Sequence, residues 1–293
     1  MTIRNLQIFE SVARLGKMSA AANELFISQP TISQAVLELE REYGVLLFNR
    51  LSKKLYITEE GKKFLEYTKS ILFMVEEMDK SMKELSTNKR ILLGSTITVG
   101  KCVLVDIIKK FEQQYPHIEV KVIVDNTTVI EKLLLSGKID IALVEGKIKS
   151  GDLIAIPSIP DKLVLVCHKN HPLAKKDKNN MFALKNCSFV LREEGSGTRE
   201  ALINKLKEYD ININIKWSCH GFDSIIEAVL GNQGVTMLSE RIAKPYVDKQ
   251  ILKIIPIEDI EINRNFSIVY HKNKIIMKPL SNLIELIEQC CSF

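Results

Sequence analysis

The stretch SAAANELFISQPTISQAVLELEREYG, residues 19–44, sets the architecture of the first part of this 293-residue chain. Ser19 stands where an N-cap opens a short helix through Leu25, and Ala20, Ala21 and Ala22 let a neighbouring backbone come close. Ser28 opens another helix. Its hydroxyl can cap the free amides, Pro30 falls in the first turn where a missing N–H costs nothing, and Ile32, Val36 and Leu39 form an inward stripe that Gly44 ends. Upstream, Leu6, Phe9, Val12 and Ala13 share one face of a helix that Gly16 stops. Two short helices joined by a tight turn, the second showing Ser28, Gln29, Pro30, Thr31, Ser33 and Gln34 near its N-terminus, have the layout of a helix-turn-helix. Carboxamides can bond adenine bidentately and hydroxyls can reach bases or phosphates, so this face suits a DNA major groove. A small helical bundle with a polar outer face has the same pattern, and the flanking residues must decide.

Those flanks add two elements. Phe48-Asn49-Arg50, then Lys53-Lys54 and the apolar run to Thr58, resemble a short hairpin. Beside a recognition helix such a hairpin is a wing, with Arg50, Lys53 and Lys54 at phosphates or the adjoining minor groove; a solvated charged loop is the alternative. Through Thr58 the basic residues exceed the acidic ones only 7 to 5, so DNA affinity is expected to rely on dimerisation. Thr58 then caps a helix whose first turn carries Glu59 and Glu60 at the positive end of its dipole. Along it Phe64, Thr68, Ile71, Val75, Met78, Met82 and Leu85 alternate spacings of four and three, a heptad seam. The stripe can also pack on its own domain, but a long helix leaving a small unit has little to pack on. A homodimer is expected.

From Ile91 the period changes. Strands over 91–94, 119–124 and 139–144 alternate with helices over 99–115, ended by Pro116, and 129–136, which is βαβ text with a parallel sheet. A second group follows, with strands over 163–167, 188–191, 213–217 and 235–238 and helices over 199–209 and 224–230. A strand over 266–270 and a helix over 279–289 can return to the first sheet, and two crossing strands make a hinged, two-lobed clam. The expected domains are residues 1–58, a linker helix over 59–89, and 90–293, the last split into lobe I (90–161 and 266–293) and lobe II (162–265).

Composition agrees with a globular protein: 46% of residues are hydrophobic, 26% charged, and the net charge of +5 permits an anionic partner without demanding one. The start, residues 1–10, lacks the apolar core of a secretory signal, and the longest uncharged run, residues 228–239, is too short to span a bilayer. A cytoplasmic protein with no membrane partner is expected. The six cysteines have no metal-ligand spacing, and His168 and His171 lack a third ligand, so neither metal nor cofactor is expected.

The run Leu6, Phe9, Val12, Ala13, Gly16, Ser19 to Ala22, Leu25, Ser28-Gln29-Pro30-Thr31-Ile32-Ser33, Leu39-Glu40, Gly44, Leu47-Phe48, Arg50, Thr58 and Gly61 resembles LysR-type transcriptional regulators. Gly137-Lys138-Ile139-Asp140-Ile141-Ala142-Leu143 and His171-Pro172-Leu173 carry the resemblance through most of the chain. It implies an N-terminal all-α winged helix-turn-helix with a linker helix, and a C-terminal α/β two-lobed, periplasmic-binding-protein-like effector domain. It also implies double-stranded promoter DNA with an interrupted inverted repeat as target, dimers or tetramers, RNA polymerase as a further partner, and DNA bending altered by an effector. Gln34, Leu37 and Glu38 stand where many relatives carry Arg or Lys.

Two loops are candidates for the effector. Residues 94–101 follow a strand and open a helix, but five residues separate the glycines and Cys102 follows Lys101, so this is no phosphate loop. Ser95, Thr96 and Thr98 can instead offer hydroxyls to an anion at a helix N-terminus, or simply cap it. The second loop, Arg192-Glu193-Glu194-Gly195-Ser196-Gly197-Thr198-Arg199, combines close backbone approach with the Thr198 hydroxyl and the fixed charge of Arg199, and resembles family versions that hold anionic effectors; a surface turn is the alternative. Both would face one cleft, so a small anionic metabolite is expected there. Catalysis is not indicated, since Ser196 lacks the G-x-S-x-G spacing. A small-molecule binding protein or α/β enzyme leaves residues 1–58 without purpose, and thiol sensing at Cys219 is the alternative mode of control.

Overall fold

The Thr2 side chain accepts a hydrogen bond from the Asn5 amide and starts α1 (Ile3–Leu15), which Gly16 closes in the left-handed region at φ 66°. The computed structural model describes residues 1–51, 54–84, 90–257 and 261–290, in two compact units, Met1–Lys83 and Glu84–Phe293. In the first unit α2 (Met18–Leu25) corrects the expected Ser19 cap: Lys17 takes the N-cap position and no side chain caps the helix. Ala21 and Ala22 are buried in the shared core, so packing of small residues rather than a cap sets this helix. α3 (Gln29–Tyr43) begins as expected, with the Ser28 hydroxyl accepting from the Thr31 amide, and ends at Gly44, φ 66°.

β1 (Phe48–Leu51) and β2 (Lys54–Ile57) pair antiparallel with Phe48 opposite Ile57. α4 (Glu59–Glu84) follows, and the Gly61 amide donates to Thr58 Oγ1 at 2.9 Å. A Cβ on Gly61 would lie 2.3 Å from the Leu47 carbonyl oxygen, so glycine alone lets the helix pass this close to the hairpin. One core joins all these elements, centred on Phe9, whose ring lies 5.3 Å from Phe48 and 5.0 Å from Phe64.

In the second unit β3 (Arg90–Thr96) leads into α5 (Ile97–Val99), a π turn over Gly100–Leu104 and α6 (Val105–Gln114). β4 (Glu119–Asp125), α7 (Thr127–Leu135) and β5 (Ile141–Glu145) complete a parallel arrangement with β3 in the middle. β6 (Leu153–His168) is 16 residues long and begins ten residues before the expected position 163. Pro157 and Pro160 disguise it, since proline argues against a strand unless its missing N–H faces an edge or a bulge. Then come β7 (Ser188–Arg192), α8 (Gly197–Lys207), β8 (Asn214–Cys219), α9 (Phe222–Leu230), β9 (Thr236–Ser239), α10 (Glu240–Asp248), β10 (Leu252–Ile254), β11 (Ile262–His271) and α11 (Lys278–Gln289).

β11 pairs antiparallel along its whole length with residues 153–163 of β6, and the two strands belong to both lobes. One end of this ribbon continues the sheet through β5, β3 and β4, while the other end of β6 pairs with β9 and β10. β7 and β8 form a separate parallel pair. The first lobe packs Leu93, Phe111, Ile141, Phe266 and Leu283 into its core; the second packs Leu165, Phe189, Leu202 and Val235 on one side and Val166, Ile225 and Leu238 on the other. Every residue of β5 is buried, as in a strand covered on both faces. Its last residue, Glu145, is thereby carried into the interior.

Candidate functional site

The first site is the N-terminal end of α3. Gln29, Pro30 and Thr31 are exposed, Ser33 is half-buried, and Ile32 is fully buried beneath them. Ser28 is occupied by its capping role and by a 2.8 Å bond to the Thr31 hydroxyl. The Gln34 carboxamide donates to Glu38 at 3.0 Å, and Glu38 also accepts from Asn5 at 3.4 Å, so this acidic departure from the family pattern is tied into the unit's own surface. Glu40 accepts from the amides of Leu47 and Phe48 at 2.8 and 3.2 Å, fixing the start of the hairpin against α3. Arg50 and Lys54 occupy hairpin positions opposite Leu55 and Leu51; Lys53 lies outside the described residues. Sequence reading passed over Phe26, which closes α2 with φ 53° and is 94% exposed three residues before Gln29.

On α4, Phe64 turns into the unit's own core between Phe9 and Tyr43. Further along, Thr68 is buried, Ile71 and Val75 are half-buried, and Met78 and Met82 are exposed. Leu85 lies outside the described residues.

The second site lies between the lobes, and its centre is a residue that sequence reading missed. The hydroxyls of Thr96 and Thr98 are both hydrogen-bonded to the Glu145 carboxyl, the latter at 2.6 Å, so neither serves as a helix cap. Ser95 instead bonds the Thr96 carbonyl at 3.0 Å. From the other lobe the loop before α8 lands directly on β5: a Cβ on Gly197 would meet the Glu145 carbonyl oxygen at 2.6 Å and the Gly146 Cα at 2.9 Å. Thr198 accepts from Arg264 Nη1 at 3.0 Å, and Arg264 Nε reaches Asp161 at 2.8 Å. Asp161 also accepts from Ser239 at 2.5 Å. Arg192 is fully buried, bonded through Nε and Nη2 to Glu193 at 2.8 Å each, with Phe222 stacked 5.0 Å below its guanidinium.

The structure thus brings together Thr96, Thr98, Ser196, Gly197 and Thr198, and adds Glu145, Arg192 and Arg264. Arg199 is directed elsewhere: it bonds the Arg192 carbonyl, Ser218 and Glu194, and lines an open groove of about 580 Å³ with Lys149, Glu200 and Lys207. A signal for Glu145 was present in the sequence as the one charge ending the apolar run Ile141 to Val144.

Burial pushes the Glu145 carboxyl above its usual value of 4.5, against the pull of Arg264, the Thr98 hydroxyl and Arg192. The folded chain then holds this proton at pH values where the unfolded chain has lost it. Its contribution to stability is complete below 4.5 and is lost as pH rises through the raised value. Glu145→Gln is therefore expected to flatten the decline of stability with pH between 4.5 and the raised value, read by urea unfolding from acid to neutral pH. An identical slope in both proteins contradicts a buried, proton-holding carboxyl. The thiols offer little: burial pushes Cys219 up, and Cys102 and Cys167 up to about 11, which disfavours reactive thiolates. Among the described residues no group of three or more His, Cys, Asp or Glu could hold a metal ion, and no helix is long and apolar enough to cross a membrane.

Comparison with known proteins covers both parts of the chain. Residues 3–62 match the family described as bacterial regulatory helix-turn-helix protein, lysR family, and residues 86–291 match the LysR substrate binding domain. A "Probable RuBisCO transcriptional regulator" of Trieres chinensis is 31% identical over 278 residues, covering 92% of this chain and 90% of the relative. The transcriptional activator CmpR of Synechocystis is 29% identical over 93% of this chain and 90% of its own length. Among solved structures, the Synechocystis CcmR regulatory domain in complex with 2-PG superposes with a TM-score of 0.65 at 24% identity, over 70% of this chain and 98% of that one. Full-length CbnR complexed with its target DNA gives 0.56 at 18% identity over the whole of both chains. With a DNA-binding helix-turn-helix at one end and a two-lobed effector domain at the other, the chain belongs to the LysR family of transcriptional regulators and is not an enzyme.

Proposed function

We propose that a small anionic metabolite bound between the two lobes switches this regulator, and that it works in the cytoplasm as a homodimer or tetramer on an interrupted inverted repeat, with RNA polymerase as a further partner. One observation carries the effector reading: Arg192 Nη1, Arg264 Nη2 and Ser196 Oγ are buried without hydrogen-bond partners among the described residues, and Arg264 Nη1 donates to the Thr198 hydroxyl. An unpaired buried donor costs about 1–3 kcal/mol, and an anion relieves that cost. The CcmR regulatory domain was solved with 2-PG and the QuiR effector domain with shikimate, both acids ionised at neutral pH. The ligand changes transcription only through unequal affinity for two arrangements of the domain.

The test is calorimetry and a promoter reporter run over a panel of acidic metabolites that includes these two. Thr198→Val and Ser196→Ala are expected to weaken binding of the active compound at least tenfold and to abolish its effect on the reporter, with folding checked by circular dichroism. Unchanged affinity and response in both variants place the effector elsewhere.

A further inference from the structure

The helix α3 carries no cation over residues 29–40, so any base it meets there is read by carboxamides, hydroxyls or a carboxylate. Thr31, Gln34 and Glu38, spaced by three and four, share its exposed side, turned away from the buried Ile32, Ala35, Val36 and Leu39. Glu38 is held from two elements. Gln34 Nε2 donates to its Oε1 at 3.0 Å, and Asn5 Nδ2, on α1, donates to its Oε2 at 3.4 Å. The Thr2 hydroxyl in turn donates to Asn5 Oδ1 at 2.6 Å. A carboxylate only accepts, so both carboxamides must turn their nitrogens toward Glu38. The sense of Gln34 is therefore set by chemistry: one N–H is engaged by Glu38, leaving the carbonyl oxygen and the second N–H for a partner outside the chain.

One acceptor beside one donor matches adenine, whose N6 amino group donates and whose N7 accepts in the major groove. Guanine offers acceptors only, thymine an acceptor and a methyl group, cytosine a donor. A carboxamide with both N–H groups free can instead donate to guanine. We propose that Gln34 reads an adenine in the operator, its oxygen accepting from N6 and its second N–H donating to N7, and that Glu38 is the positioning residue that holds the carboxamide in this sense and so excludes guanine. This rests on α3 entering the major groove, and adds which base one of its side chains selects and what fixes that choice.

The test selects binding sites from a random duplex library with full-length wild type, Gln29→Ala, Gln34→Ala, Glu38→Ala and Glu38→Gln. Gln34→Ala should lose a preference for adenine that wild type shows at one position, worth about tenfold in relative affinity. Glu38→Ala should admit guanine at that same position and leave the other positions unchanged, an effect that general loosening of the unit does not produce. Glu38→Gln keeps an oxygen that accepts from Gln34 and should retain adenine; it separates the hydrogen bond from the removal of negative charge, which raises affinity for every sequence alike. In the selected site, 7-deazaadenine, which lacks the N7 acceptor, or purine without the 6-amino group should each weaken wild type by about tenfold and leave Gln34→Ala unaffected. Unchanged preferences in Gln34→Ala, a base other than adenine at the position it relaxes, full adenine preference in Glu38→Ala, guanine admitted by Glu38→Gln, or indifference of wild type to both analogues each overturns the proposal. If Gln29→Ala alters the selected sequence and Gln34→Ala does not, α3 remains the reading helix and only the adenine contact falls; if neither alters it, reading by α3 falls as well.

Discussion

Replacing Arg264 with methionine is expected to destabilise the effector unit by about 3–5 kcal/mol, the cost of leaving a buried charge without its partner. Arg264 on β11 stands directly opposite Asp161 on β6 in the antiparallel ribbon, and their ion pair at 2.8 Å is almost fully buried. Removing the guanidinium leaves Asp161, among the described residues, with the Ser239 hydroxyl as its side-chain partner and takes from Thr198 the bond that ties the second lobe's loop to the ribbon. The double variant Arg264→Met with Asp161→Asn should recover part of the loss, because no uncompensated charge then remains. Urea unfolding reads both effects. A single variant within about 0.5 kcal/mol of wild type, the range of ordinary surface substitutions, shows that the pair is not a structural pin.

Val75→Glu is expected to convert the protein to monomers in sedimentation. Val75 shares one stripe of α4 with Ile71, Met78 and Met82, and the two methionines are 58% and 62% exposed in the single chain. A second α4 packed on that stripe covers them, and a carboxylate at position 75 must then be desolvated in the seam at a cost of several kcal/mol, on the order of that for other buried unpaired ions. Loss of the dimer also removes the avidity of two linked reading heads, so affinity for a full operator should fall about a hundredfold or more. If Val75→Glu remains dimeric and holds full operators, the helix pairs through another face.

Much of the fold was legible because it rests on local signals. Ser28, Pro30 and Gly44 bracket α3 by capping chemistry that needs no tertiary contact, and the parallel strands announce themselves as short apolar runs. The exceptions have long-range causes. β6 was read as a short strand because Pro157 and Pro160 interrupt it, and only its pairing with β11 keeps it extended. α10 went unseen because Pro245 lies inside it. Phe64 fits the heptad spacing, yet Phe9 and Tyr43 claim it for the core.

The inter-lobe site divides along the same line. Its loops were found because hydroxyls and glycines between a strand and a helix are visible as local text. Glu145 and Arg264 were missed because each lies in a strand far from both loops in sequence, while Arg192, which ends β7, stood inside the second loop and was not singled out. Arg199 was favoured over Arg192 by its place beside Thr198, yet being two residues into α8 turns it toward Glu194 and Ser218.

Footprinting on the DNA upstream of the chain's own gene, with wild-type, Gln29→Ala and Arg50→Ala proteins over a range of salt concentrations, tests DNA reading by α3 and its hairpin most directly. Wild type should protect two half-sites separated by about 34–36 Å or a multiple of it, as a two-fold dimer requires. Gln29→Ala should bind with relaxed sequence preference, while Arg50→Ala should weaken binding evenly and reduce the salt slope by about 1. Footprints and salt slopes unchanged in both variants would contradict recognition by this helix and hairpin.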